Sequence, residues 1–179
     1  MLQGKRIYLR HLNIHDAQRL FNYELRNKDF FIPTSFTRTD AYYTIERIRK
    51  NIESYTKEIE EKSSIRFGIF LNGTHELIGM IALNDILWPL KTSYIGYSLD
   101  LKHTKQGYMY EALNLVVDYA FNEIKFHRIE AGVMPSNHAS YRLLERCGFV
   151  REGLLRKNVH INGRWEDHYI YGLLNENDN

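Results

Sequence analysis

The chain has 179 residues, which fits one domain or at most one domain with an elaborated edge, and 44% of them are apolar, enough for a sizeable core. Its net charge of +2 comes from 24 basic and 22 acidic side chains mixed along the sequence without a long basic block, which argues against nucleic acid as the main partner. The lone Cys147 excludes an internal disulfide, and neither an apolar signal core nor a membrane-length run occurs, so a cytoplasmic protein is expected.

Residues 5–12 read as a first strand, because Lys5-Arg6-Ile7-Tyr8-Leu9-Arg10 alternates. Asn13 or His15-Asp16 can cap a helix running to about Arg26, with Ala17, Leu20, Phe21, Glu24 and Leu25 at helical spacing. Phe30-Phe31-Ile32-Pro33-Thr34 reads as a loop rich in large apolar groups. Thr39 is expected to cap a long helix in which Tyr42, Tyr43, Ile45, Ile48, Ile52, Tyr55 and Ile59 recur. Ile65–Phe70, Glu76–Leu83 and Ser93–Leu99 predict three antiparallel strands. Their joints are Leu71-Asn72-Gly73-Thr74 and a loop containing Trp88-Pro89. Asn72-Gly73-Thr74 matches a glycosylation sequon, but Asn-Gly between apolar runs is a hairpin turn. A helix from Gly107/Tyr108 to about Lys125 precedes a strand over Arg128–Met134 and a break at Pro135-Ser136. The helix Ser140–Cys147 follows, stopped by Gly148. Residues 149–160 and 165–173 read as two last strands around Asn162-Gly163. No repeat or linker interrupts the chain, so residues 1–179 are expected to form a single α/β domain.

Thr104-Lys105-Gln106-Gly107-Tyr108-Met109 lies between a strand and a helix start, where unpaired amides and the helix dipole make a ready anion site. Just upstream, the strand Tyr94-Ile95-Gly96-Tyr97-Ser98-Leu99 could pair with an extended chain of amides, although Gly96 also reads as an ordinary bulge. Downstream, Asn137 and Ser140 read as normal caps for a short helix. No His, Cys or acid shows metal-ligand spacing, so no metal is expected.

In this order, Gln106-Gly107-Tyr108-Met109-Tyr110-Glu111-Ala112 and the run from Asn137 to Phe149 resemble the GNAT N-acetyltransferase superfamily. Within it the chain resembles the RimJ/RimL branch, which acetylates ribosomal-protein N-termini. Gly148-Phe149-Val150-Arg151-Glu152-Gly153 and Asn162-Gly163-Arg164-Trp165-Glu166-Asp167-His168 extend the likeness to the tail. The resemblance implies a mixed, mostly antiparallel twisted sheet with a V-shaped splay between central strands, flanked by about four helices. It implies acetyl-CoA as donor, with coenzyme A as product. The amides of Thr104, Lys105, Gln106, Gly107, Tyr108 and Met109 would hold its pyrophosphate, and a backbone N–H near Ser98 or Leu99 would face its thioester carbonyl. The superfamily pattern in this loop is Gln/Arg-x-x-Gly-x-Gly/Ala, and only Gly107 matches it. Thr104 and Met109 depart, and Lys105 stands where the branch usually carries a second glycine. Many members have a Tyr where this chain has Leu144; the branch has a serine at Ser140. That implies a hydrogen bond from Ser140 to the departing sulfur, with Asn137 donating to the pantetheine or ordering a water. Relatives that keep a carboxylate on the preceding strand have it where this chain has Gly132, so the base stays open among Glu130, Asp85, His138 and His160.

An α-amine has a pKa near ~8 and a Lys amine near ~10.4, so a site without a strong base suits an N-terminal amine. The expected activity is acetyl transfer to a primary amine by direct attack on the thioester, with a protein N-terminus, such as that of a ribosomal protein, as acceptor. Phe30-Phe31-Ile32-Pro33, Tyr42-Tyr43 and the Trp88 loop could flank its first residues or simply pack helices on the sheet. One alternative is a polyamine or aminoglycoside acceptor, which needs several acids on the acceptor side; Asp29, Asp40 and Glu46 are few and scattered. The other is a coenzyme A-binding module that has lost catalysis. A monomer or homodimer is expected, with no membrane partner.

Overall fold

Two apolar clusters, one on each side of an eight-stranded sheet, decide how the chain folds. The computed structural model describes residues 1–36 and 38–178. The strands are β1 (Leu2–Gln3), β2 (Ile7–Arg10), β3 (Ile65–Leu71), β4 (Leu77–Leu87), β5 (Thr92–Leu99), β6 (Arg128–Val133), β7 (Val150–Ile161) and β8 (Arg164–Leu174). The helices are α1 (Ala17–Arg26), α2 (Lys28–Phe31), α3 (Ile45–Glu60), α4 (Tyr108–Asp118) and α5 (His138–Arg146). The sheet runs β1-β2-β3-β4-β5-β6-β8-β7, and every pairing is antiparallel except β5 with β6. The fold expected from the resemblance is the fold found.

Strand alternation sorts the side chains. Ile7, Leu9, Phe67, Ile69, Ile81 and Leu83 point to one face, where Ala112, Leu113 and Val116 of α4 and Leu144 of α5 meet them. Phe70, Leu77 and Met80 point to the other, under Leu20 and Tyr23 of α1 and Ile48 and Ile52 of α3. The face of β6 and β8 beyond α1 is open enough to leave Gly132 exposed.

The capping signal in the sequence closes a 3-10 turn, Ile14–Asp16, that leads into α1. Asn13 accepts from the His15 amide at 3.0 Å, and the Asp16 carboxylate accepts from the Asn13 amide at 3.0 Å. Asp16 is only 1% exposed, and Arg10 grips it with two bonds of 2.6 and 2.7 Å. Several boundaries differ from expectation, with β4 running on to Leu87 and α5 starting at His138. Thr44, not Thr39, caps α3 by accepting from the Arg47 amide at 3.3 Å. Tyr42 and Tyr43 stand before that helix, and the Tyr42 hydroxyl instead donates to the buried Glu24 of α1 at 3.1 Å. Lys28–Phe31 is a helical turn rather than loop, and α4 gives way at Tyr119–Glu123 to a π-helical turn.

Candidate active site

Strands β5 and β6 run parallel and pair at only three positions, Thr92 with Arg128, Ser93 with Ile129 and Tyr94 with Glu130. Beyond Tyr94, β5 stays on β4 through the Gly79–Leu99 pair while β6 stays on β8, so a gap opens between them. The Asp100 amide donates to the Ile78 carbonyl on the β4 side at 2.8 Å. Alternation therefore turns the Leu99 amide toward the gap and the Ser98 amide back to β4. The Ser98 hydroxyl accepts from Tyr23 of α1 at 2.8 Å. Of the two amides expected at the thioester, the geometry favours Leu99.

The loop entering α4 has the shape of an anion cradle. Gly107 has φ +82°, and a Cβ there would lie 3.3 Å from the Arg6 guanidinium. Arg6 also donates to the Gln106 carbonyl at 2.8 Å and is paired with Glu111 at 3.0 Å. The amides of Lys105, Gln106, Gly107 and Tyr108 reach no backbone acceptor among the described residues, and they lie at the positive end of an 11-residue helix. Lys105 has φ +60°, the left-handed region that glycine tolerates best, which explains physically why a glycine suits this position. The departure at Met109 costs the cradle nothing, because that side chain is 7% exposed and packs in the core. The Thr104 hydroxyl donates to the Leu101 carbonyl at 2.8 Å and the Gln106 side-chain Nε2 to the Lys102 carbonyl at 2.8 Å, so both side chains shape the loop itself.

Across the gap, Asn137 caps α5: its Oδ1 accepts from the Ser140 amide at 3.3 Å. The Ser140 hydroxyl lies 2.9 Å from the Tyr97 hydroxyl of β5. Burial pushes the Tyr97 phenol well above its ordinary range, against an opposing pull from the Ser140 hydrogen bond. Leu144 is 1% exposed in the core, so a tyrosine there would have to displace packed neighbours. Tyr141 faces away, with its ring against Tyr169 of β8 at 6.2 Å.

The opposite face of the sheet carries a residue that the sequence reading did not single out. A Cβ on Gly132 would lie 2.9 Å from Nδ1 of His168 on β8, so the imidazole fills the space that a side chain at Gly132 would take. Burial lowers the His168 pKa below its ordinary value and keeps the ring neutral at pH 7. The other candidate bases stand less well. Glu130 is held by Arg128 at 2.8 Å, Asp85 and His138 are exposed, and the exposed His160 packs on Trp165. Phe31, Ile32 and Tyr43 line a cavity of about 220 Å³. Trp88 does not join them. Its indole donates to the Lys62 carbonyl at 2.7 Å and its ring meets Phe126, at the end of the sheet where β5 and β6 are closed. Glu76, Asp100 and His103 bring ligand atoms within 4.8 Å of one another, but the Arg26 guanidinium already pairs with both carboxylates.

Comparison with known proteins agrees with this geometry. Residues 6–150 match the acetyltransferase (GNAT) domain family. The chain is 49% identical to the probable N-acetyltransferase YjcK of Bacillus subtilis, over 99% of each chain. The ribosomal-protein-S5-alanine acetyltransferase structure from Vibrio fischeri superposes with a TM-score of 0.92 at 29% identity, covering 98% of this chain and 96% of that one. Mycobacterium smegmatis RimJ in complex with CoA-disulfide gives 0.90 at 25% identity, over 95% and 82%. GNAT acetyltransferases use acetyl-CoA, and the Gly107 cradle, free of any side chain at its centre, fits the coenzyme's pyrophosphate. The chain belongs to the GNAT family and is an N-acetyltransferase with acetyl-CoA as its donor.

Proposed function

We propose that residues 1–179 form one catalytic unit that acetylates the N-terminal α-amine of a protein, a ribosomal protein being the model acceptor, in the cytoplasm and as a monomer or homodimer. One observation carries the acceptor choice: of the acids around the acceptor side, four are already matched by bases, and Asp29 and Glu46 stand exposed and apart rather than clustered. Glu24 pairs with Arg38, Asp40 with Lys28, and Glu130 and Glu152 with Arg128. A polyamine or aminoglycoside needs unmatched acids to hold its several charges, whereas an α-amine brings one. The similarity to an alanine-specific acetyltransferase favours the same class.

In this reading the amides of Lys105 to Met109 hold the pyrophosphate and the Leu99 amide donates to the thioester carbonyl oxygen, where negative charge grows. The donor supplies an acyl carbon on a sulfur leaving group. His168 takes the proton from the acceptor ammonium on the open face of β6. A neutral imidazole suffices for an α-amine near pKa ~8, of which roughly a tenth is uncharged at pH 7, but serves poorly for Lys near ~10.4. The amine nitrogen then bonds the acyl carbon, the C–S bond breaks, its electron pair goes to sulfur, and Ser140 donates a hydrogen bond to it. The nitrogen's surplus proton leaves to solvent.

The test is thiol release on a panel containing peptides that begin with Ala or Ser, an N-blocked peptide with a free Lys, spermidine and an aminoglycoside. The expected result is at least a tenfold higher kcat/KM for the free α-amine. Preference for spermidine or for the blocked Lys peptide rejects the acceptor class.

A further inference from the structure

Tyr97 sits on β5 three residues past the last β5–β6 pair, where the gap has opened, and it points to the α4–α5 side of the sheet. Its hydroxyl reaches across to α5, 2.9 Å from the Ser140 hydroxyl and 3.4 Å from the Ser140 carbonyl. The Tyr97–Ser140 contact is the side-chain hydrogen bond joining β5 to α5 among the described residues. We infer that Tyr97 is the positioning residue of the reaction: its phenol donates to Ser140 Oγ and so fixes the serine hydrogen toward the sulfur.

The argument runs through proton bookkeeping at one oxygen. A serine hydroxyl rotates freely and has one hydrogen to place. When Tyr97 donates to Oγ, that hydrogen cannot point back along the same line and is left for an acceptor on the opposite side. As sulfur takes up the C–S electron pair, Ser140 donates to it and Tyr97 donates to Ser140, so the two bonds polarise each other. No proton is passed along. A thiol is a far stronger acid than this buried phenol, so the proton stays on Tyr97 and the sulfur leaves as a hydrogen-bonded thiolate. Tyr97 thus strengthens a donor without being an acid. Its hydroxyl acts through Ser140.

This inference rests on the proposed role of Ser140, and a double-mutant cycle separates the two. Thiol release is measured for the wild type, Tyr97→Phe, Ser140→Ala and the double variant, on whichever amine the wild type accepts. Tyr97→Phe keeps the ring and removes one hydroxyl, so kcat is expected to fall about three- to tenfold with KM for acetyl-CoA unchanged within about twofold. In the Ser140→Ala background the same change should do nothing further. Losses that multiply in the double variant, or a loss confined to KM, overturn the positioning role. Fully active Ser140→Ala removes the serine's role itself, whereas an impaired Ser140→Ala beside a silent Tyr97→Phe removes only the inference. A readout without turnover is the 13C resonance of the labelled tyrosine Cζ, assigned to Tyr97 by its loss in Tyr97→Phe. It should move in Ser140→Ala, and a fixed resonance there also overturns the proposal.

Discussion

Replacing Gly107 with valine damages two things at once, and a matched glycine separates them. At φ +82° a side chain costs roughly 1–2 kcal/mol, more if β-branched, and the new Cβ would stand 3.3 Å from Arg6 in the centre of the cradle. For a chain of this length that backbone cost lowers Tm by roughly 2–8 °C. Gly163, at the β7–β8 turn, has φ +77° and nothing within 4 Å of its Cβ position, so Gly163→Val carries a similar backbone cost without approaching the cradle. Charge-assisted hydrogen bonds are worth about 1.5–3 kcal/mol each, so losing one amide–phosphate bond weakens coenzyme A about 10- to 150-fold. Titration calorimetry with coenzyme A, beside thermal unfolding without it, is the assay. Both variants should lose Tm, and only Gly107→Val should lose affinity. Equal affinity losses, or unchanged affinity in a folded Gly107→Val, refute the assignment of this loop to the pyrophosphate.

Lys105→Gly relieves a left-handed backbone at φ +60° and should keep or improve coenzyme A affinity, whereas Lys105→Val should raise Kd; the reverse order would mean that the Lys105 charge matters more than the loop shape. His168 is neutral in the fold because its pKa is lowered, so it stops accepting protons only as pH falls through that lowered value. kcat/KM should therefore decline below the ordinary histidine range, and His168→Asn should be slow at every pH and lose that acid limb; an unchanged limb assigns the proton to another group. Burial works against the charge of Asp16, but the Arg10 hydrogen bonds hold its carboxyl below the usual range, so its contribution to stability is present above about pH 4 and is lost as pH falls through the lowered value. Arg10→Met leaves Asp16 with Arg19 at 3.2 Å and should cost about 1.5–3 kcal/mol in denaturant unfolding at pH 7, and the deficit should shrink in acid; a deficit independent of pH would point to lost packing instead.

Much of the fold was legible because its signals are local. The Asn13 and Asp16 cap, the Asn162-Gly163 turn and the strand alternation of β3 to β5 each need only a few neighbouring residues. Thr39 misled because Thr39 and Thr44 both precede apolar residues at helical spacing, and only the pull of Glu24 on Tyr42 separates the two starts. The left-handed turn at Gly107 was legible because a glycine before a helix states its own backbone demand, whereas the pyrophosphate assignment leans on the second motif, Asn137 to Phe149. The contacts on which the proposed roles of His168 and Tyr97 rest were not legible. His168 meets Gly132 through the β6–β8 pairing and Tyr97 meets Ser140 across 43 residues of sequence, and neither register can be read from spacing.

The three-position closure of β5 on β6 also sets how the amides of one strand exchange with heavy water. Amides facing β4, at Gly96, Ser98 and Asp100, are tied into the ladder, while those of Tyr97 and Leu99 face the gap. Protection should therefore alternate residue by residue from Gly96 to Asp100 in the free protein, slow then fast, although Gly96 to Leu99 occupy a single regular strand. Coenzyme A lying in the gap would even out that comb. A strand on the sheet's interior would then behave, until its ligand arrives, as an edge on one side only.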